Sequence, residues 1–210
     1  MRYLVIMAAV FGWHFASTAG QEPTCSHQFP RRVNLTLEVL DFGFSEEQLV
    51  LEAILVQSWV GPPRTDTEMG CFGKSRTLIG LEMEEEWTPQ MVFLNDISFR
   101  DFASPIPHST LTIARDGSAK QKFRFEAKFP CHVSGHRRDE LNCFIKCGSL
   151  VYNNDQILFE ELKWAGVTIG GGYNMNSNKA KQSVKESDFG NTTEVEFEGQ
   201  FKWVYRSGRG

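Results

Sequence analysis

The chain has 210 residues, 41% of them hydrophobic, 23% charged and 12% aromatic, with 17 phenylalanines; a disordered or low-complexity chain lacks such side chains to bury, so that class is excluded. Its formal charge is −4, and removing residues 1–20, whose one charge is Arg2, leaves 21 bases against 26 acids, or −5. An acidic surface repels phosphate backbones, which makes nucleic acid a poor partner.

Met1 to Tyr3 carry one positive charge, Leu4 to Phe11 form a short apolar run, and Ala16, Ser17, Thr18, Ala19 and Gly20 follow. This is the pattern of a secretory signal cleaved after Ala19 or Gly20. A membrane anchor needs about 18 to 20 apolar residues, and His14 interrupts this run. Residues 1–20 are read as the signal and 21–210 as one folded domain, since about 190 residues suit a single core. Export places Cys25, Cys71, Cys131, Cys143 and Cys147 in an oxidising compartment, where the odd count leaves at least one thiol or an intermolecular bond. Asn34-Leu35-Thr36 and Asn191-Thr192-Thr193 are N-glycosylation acceptors of the kind exported chains carry.

Beyond the signal, two-residue alternation recurs at Val33, Leu35, Leu37 and Val39, and at Phe123, Phe125, Ala127 and Phe129. It is plainest at the end, where Val195, Phe197, Phe201, Trp203 and Tyr205 interleave with Glu194, Glu196, Glu198 and Lys202. These are half-buried antiparallel strands. Further apolar runs lie near 48–59, 77–81, 91–98, 142–152 and 157–165, separated by turn clusters such as Gly61-Pro62-Pro63 and Asp116-Gly117. About ten short strands and no helical period predict an all-β sandwich. Gly170 to Asp188 combines Gly170-Gly171-Gly172 with Asn, Ser and Lys and has almost no apolar face; it reads as a long, mobile excursion between two strands.

Catalytic signatures are weak throughout. His132 and His136 sit four apart in a glycine-containing loop rather than on a helical face with further ligands, so a zinc site is not expected. The glycine triplet lacks the Lys-Ser/Thr of a phosphate cradle, and Glu82, Glu84, Glu85 and Glu86 read as a solvated face. No enzyme, metal or cofactor is predicted. Cys71, Trp87 and Cys131 are spaced roughly as in an immunoglobulin domain, but Phe129 stands where that fold places a tyrosine.

Read as a unit, residues 131–152 end one loop in Asp139, Asn142 and Cys143 and run on through Gly148 and Ser149 to Tyr152. This resembles the signature disulfide loop of the Cys-loop (nicotinic-type) receptor extracellular domain and of its soluble relatives, the acetylcholine-binding proteins. Upstream, Trp87-Thr88-Pro89-Gln90 running to Phe93-Leu94-Asn95 is similar to the family's Trp-x-Pro-Asp stretch, and Gln57-Ser58-Trp59 to its Gln-x-Trp. The resemblance covers residues 33–206. It implies an antiparallel sandwich that assembles as a ring, commonly a homopentamer, with a small organic ligand between subunits.

The resemblance also implies a Cys131–Cys143 disulfide and the pairing of Cys25 with Cys71. Cys147 is left unpaired, because about 13 Å of strand separates it from Cys143. By motif register the ligand pocket draws on Ile54, Leu94 and Leu150 where acetylcholine-binding members have aromatic walls, with Tyr152, Tyr173 and Phe189 as further candidates. Three aliphatic walls make acetylcholine a poor ligand, since the cation attraction of ring faces is missing. The loop holds eleven residues between its cysteines rather than the family's thirteen, and its tip, with His132, His136, Arg137, Arg138, Asp139 and Glu140, is polar. Such a tip is costly against an apolar membrane domain. Together with the chain end at Gly210, this predicts a secreted binding protein without a membrane span; the alternatives are a ring-forming structural or matrix protein, and a receptor ectodomain cut from its channel.

Overall fold

The computed structural model describes residues 30–69, 73–97, 109–134, 140–149, 151–186 and 191–203. The signal segment, Cys25, Cys71, Leu150 and Phe189 lie outside the described residues, so the Cys25–Cys71 pairing does too.

Strands form where the alternation is. The first, β1 (Arg31–Ser45), buries Val33, Leu35, Leu37 and Val39, and β2 (Gln48–Val60) buries Leu49, Leu51, Ala53 and Leu55. A four-residue helix α1 (Asp66–Met69) leads to β3 (Ser75–Ile79), a 3₁₀ turn over Gly80–Met83 and the short β4 (Met91–Phe93). Then come β5 (Ser109–Ala114), β6 (Ser118–Ser134) and β7 (Glu140–Ser149). The last four are β8 (Ile157–Gly166), β9 (Ile169–Gly170), β10 (Tyr173–Lys185) and β11 (Thr192–Trp203). Their hydrogen-bonded order is β8-β1-β2-β6-β7-β11-β10-β9, with β5 carrying β3 on the side of β6 and β4 pairing with β7.

This single sheet curls into a sandwich because β6 serves both layers. It pairs with β2 from Ser118 to Pro130 and with β7 from Cys131 to Ser134. The inner faces then meet: Phe42 of β1 lies 5.0 Å from Phe201 of β11, and Phe93 of β4 lies 4.3 Å from Phe125 of β6. Each fully buried Leu or Phe of this core, such as Leu35 or Phe201, contributes roughly 1.5–3 kcal/mol relative to an exposed one. The turn clusters marked in the sequence also meet, with Gly61 N–H donating to the Gly117 carbonyl at 2.8 Å. A Cβ on Gly117, whose φ is +86°, would lie 2.2 Å from the Gly61 oxygen, so only glycine fits.

Two expectations need correction. The pairing of β1 with β8 is parallel, from Arg31↔Ile157 to Val39↔Gly166, so the sandwich is not antiparallel throughout. The segment Gly170–Asp188 is not a loose excursion over most of its length: β10 pairs with β11 from Tyr173↔Trp203 to Lys185↔Thr192. Only Met175 on β10 is buried. The backbone ladder, rather than an apolar face, holds this strand, which is why two-residue alternation missed it.

Cys131 and Cys143 form a disulfide across the β6–β7 pair. Cys147 is free and buried, and burial pushes its thiol pKa up to about 12, so it packs as a neutral, apolar side chain.

The β1–β2 turn is strained. Glu46 and Glu47 both have positive φ, 52° and 63°, where a two-residue hairpin favours Asn-Gly. Left-handed backbone costs a non-glycine residue about 1–2 kcal/mol. Glu46→Asn with Glu47→Gly is therefore expected to stabilise the fold by about 1 kcal/mol after glycine's own entropy cost. A urea midpoint that does not rise in this variant contradicts the strain assignment.

Candidate functional site

Three separate stretches of sequence converge at one corner. Asn95, just past β4, donates from Nδ2 to the Phe144 carbonyl and accepts from Lys146 N–H, both at 2.8 Å, while Leu94 N–H donates to the Lys146 carbonyl at 2.8 Å. The Asn95 amide thus substitutes for a backbone unit and carries the chain along β7 beyond the end of β4. This places Leu94 against Gly148: a Cβ there would sit 3.4 Å from Leu94 Cδ1 and 3.3 Å from the Thr193 carbonyl oxygen.

Ser149 Oγ donates to the Pro89 carbonyl at 2.8 Å and accepts from Tyr152 N–H at 3.1 Å. The third stretch is the end of the β10–β11 hairpin, where Glu194 registers with Gly148 and Asn154 N–H donates to the Asn191 carbonyl at 2.8 Å. The Trp-x-Pro stretch, the Gly-Ser stretch and the hairpin therefore make one corner. It exposes two large apolar side chains, Leu94 (47%) and Val151 (63%), whereas Val184, registered with the buried Thr193, lies on the other face of the hairpin.

Beneath the corner the aromatics face inward. Tyr152 packs on Trp87 at 5.4 Å and Trp87 on Trp59 at 5.3 Å, with the Arg31 guanidinium 4.3 Å over the Trp87 ring. Burial lowers the Arg31 pKa first of all, yet a guanidinium stays charged at any ordinary pH. The chain's own cation thus lies on the ring of the motif tryptophan.

The remaining candidates lie elsewhere. Ile54 points outward from β2, registered between Glu38 of β1 and Arg124 of β6, on the face turned away from the core. Tyr173 sits at the opposite end of the hairpin from the corner, 4.3 Å from Phe44 and 4.7 Å from Trp203, and serves packing there. His132 rests 5.8 Å from the Phe144 ring. Among the described residues, no group of three His, Cys, Asp or Glu side chains is disposed to hold a metal ion.

The hairpin is tied down by charge. Glu196, its side chain 16% exposed, accepts from Lys181 at 2.8 Å and from Lys146 at 3.4 Å. Burial pushes its carboxyl pKa up, but the two ammonium groups outweigh burial and the net shift is downward. A depressed pKa gives stability above the unfolded value of about 4.3, lost as pH falls through the folded one. Glu196→Gln is expected to be less stable than the parent at neutral pH, the gap closing below about pH 4. Denaturant melts across that range test this, and a gap independent of pH contradicts it.

The family model described as neurotransmitter-gated ion-channel ligand binding domain matches residues 45–207. The chain belongs to this family. A curated relative, "Probable ligand-gated ion channel 46" of Caenorhabditis elegans, is 24% identical over 109 residues, which is 51% of this chain and 22% of that channel. The matched stretch is therefore a small part of the relative. In this ligand-binding domain, no helix among the described residues is long and apolar enough to cross a membrane.

Proposed function

We propose that this ligand-binding domain is secreted, assembles with copies of itself as a homopentameric ring and binds a small organic molecule between neighbouring subunits. Its pocket is aliphatic, with no enzymatic step and no cofactor. The observation that carries this reading is the division of the candidate residues. Leu94, beside Gly148, lies at an exposed apolar corner, whereas Ile54 projects from the outward face of the β1–β2–β6 layer. Two half-sites on different faces of one chain, Leu94 at the corner and Ile54 between Glu38 and Arg124, suit a head-to-tail contact, in which one copy's corner meets the next copy's sheet. Leu150, adjoining the corner in sequence, would add a third aliphatic wall, and Phe189, between β10 and β11 in sequence, a cover. Apolar walls of this kind gain by burying a flat or bulky ligand.

Calorimetric titration of a panel of small amines and apolar heterocycles into the purified oligomer tests the proposal. At least one should bind, and Leu94→Arg and Ile54→Arg should each abolish that binding. An oligomer that binds nothing in the panel favours the ring-forming structural protein instead. The match to 22% of a longer channel favours a second reading, the ectodomain of a membrane channel. A full-length transcript that codes for membrane helices after residue 210 would establish it.

A further inference from the structure

A cleft of about 1140 Å³ lies away from the corner. Its floor is a row of outward-facing side chains across four strands: Asn34 registers with Ser58, Ser58 with Lys120, and Lys120 with Thr112. Pro30, Pro62 and Pro63 also line it, as does Glu160, which pairs with Arg32 at 2.6 Å. The volume lies just above the roughly 300–1,000 Å³ of clefts that enclose small ligands. Beside Trp59, Val60, Ala114 and Ala119, its lining offers hydroxyls, an ammonium and a carboxylate, groups that can hydrogen-bond a polar occupant.

Asn34 is also the acceptor of the first glycosylation triplet. Its Oδ1 accepts the Glu161 N–H at 3.2 Å, which identifies that atom as the oxygen and leaves Nδ2 with no hydrogen bond among the described residues. Asn34 is half-buried in a paired strand, so any sugar it carries must be joined before β1 pairs with β2 and β8, and must then find room in the folded protein. The cleft is that room.

We propose that Asn34 carries an N-linked glycan whose first sugars lie in this cleft against Ser58, Thr112, Lys120 and Glu160. The proposal rests on the export reading. In the transfer, Asn34 Nδ2 attacks the anomeric carbon of a lipid-diphosphate-linked oligosaccharide. The new C–N bond replaces the C–O bond to the diphosphate, Nδ2 gives up one proton, and the lipid diphosphate leaves. Sugar hydroxyls then take the hydrogen bonds offered by the floor, a polar surface that water would otherwise cover.

The test uses the full chain secreted from eukaryotic cells, glycopeptide mass spectrometry, and acylation of lysines by an amine-reactive ester. Asn34 is expected to be occupied, and Thr36→Ala, which removes the acceptor triplet but keeps the Asn34–Glu161 bond, is expected to label severalfold faster at Lys120. Lys179, exposed on the hairpin, should label at an unchanged rate. Asn34→Gln serves as the second glycan-free variant should Thr36→Ala fold poorly. A secreted chain with the Cys131–Cys143 bond formed but Asn34 bare overturns the proposal and leaves export intact. An occupied Asn34 with equal Lys120 labelling in parent and variant overturns the placement in the cleft. Retention of the chain in the cytosol overturns the proposal and the export reading together.

Discussion

Replacing both Cys131 and Cys143 by serine is expected to lower stability by about 3 kcal/mol, the loop-entropy value for a loop this short. The position of the bond makes the loss matter. β6 leaves β2 after Pro130 and joins β7 at Cys131, so the disulfide sits at the seam where one layer turns into the other. Beyond it, among the described residues, the β6–β7 ladder has the pairs from His132↔Asn142 to Ser134↔Glu140. Without the cross-link, the unfolded chain regains the freedom of the loop, and these pairs alone must hold the strand ends together. Guanidinium melts of the parent and the double serine variant measure the difference. A loss below about 1 kcal/mol would show that strand pairing alone fixes the seam.

The second large effect concerns ligand chemistry. Leu94→Tyr with Leu150→Trp is expected to raise affinity for acetylcholine by roughly five-fold to a thousand-fold. Each ring face offered to a quaternary ammonium contributes about 0.5–2 kcal/mol, and 1.4 kcal/mol is a factor of ten. The parent should bind acetylcholine weakly, because an aliphatic wall removes water from the cation without returning a negative ring face. Leu94 is nearly half exposed and lies against Gly148, so a larger ring there displaces little packed structure. Titration calorimetry on both proteins is the measurement. Tight acetylcholine binding by the parent contradicts the aliphatic pocket.

The sandwich was legible because its buried strands announce themselves in side chains. Val33 to Val39, Phe123 to Phe129 and Val195 to Phe201 alternate in sequence and are buried in the same alternation. Strand direction was not legible, since side-chain period is the same for parallel and antiparallel neighbours; nothing in residues 157–166 says that β8 runs alongside β1. Nor was β10, whose ladder is made of backbone groups that every residue carries. At the site, Leu94 came from motif register, while Val151 needed the fold to bring it to the same corner. The Cys131–Cys143 bond came from the family's loop, and β7 shows why Cys147 stays apart: it lies four residues further along the same strand, registered with Val195. Ring closure has no sequence signal, because it depends on two different patches whose complementarity appears only when copies meet.

The proposed binding site shared between copies of this chain requires an oligomer, and the mass of the purified protein in solution tests that most directly. Multi-angle light scattering at micromolar concentration is predicted to give five times the mass of one chain. A monomer at that concentration would contradict the account, because the corner at Leu94 and the face at Ile54 would then have no neighbouring copy to join them.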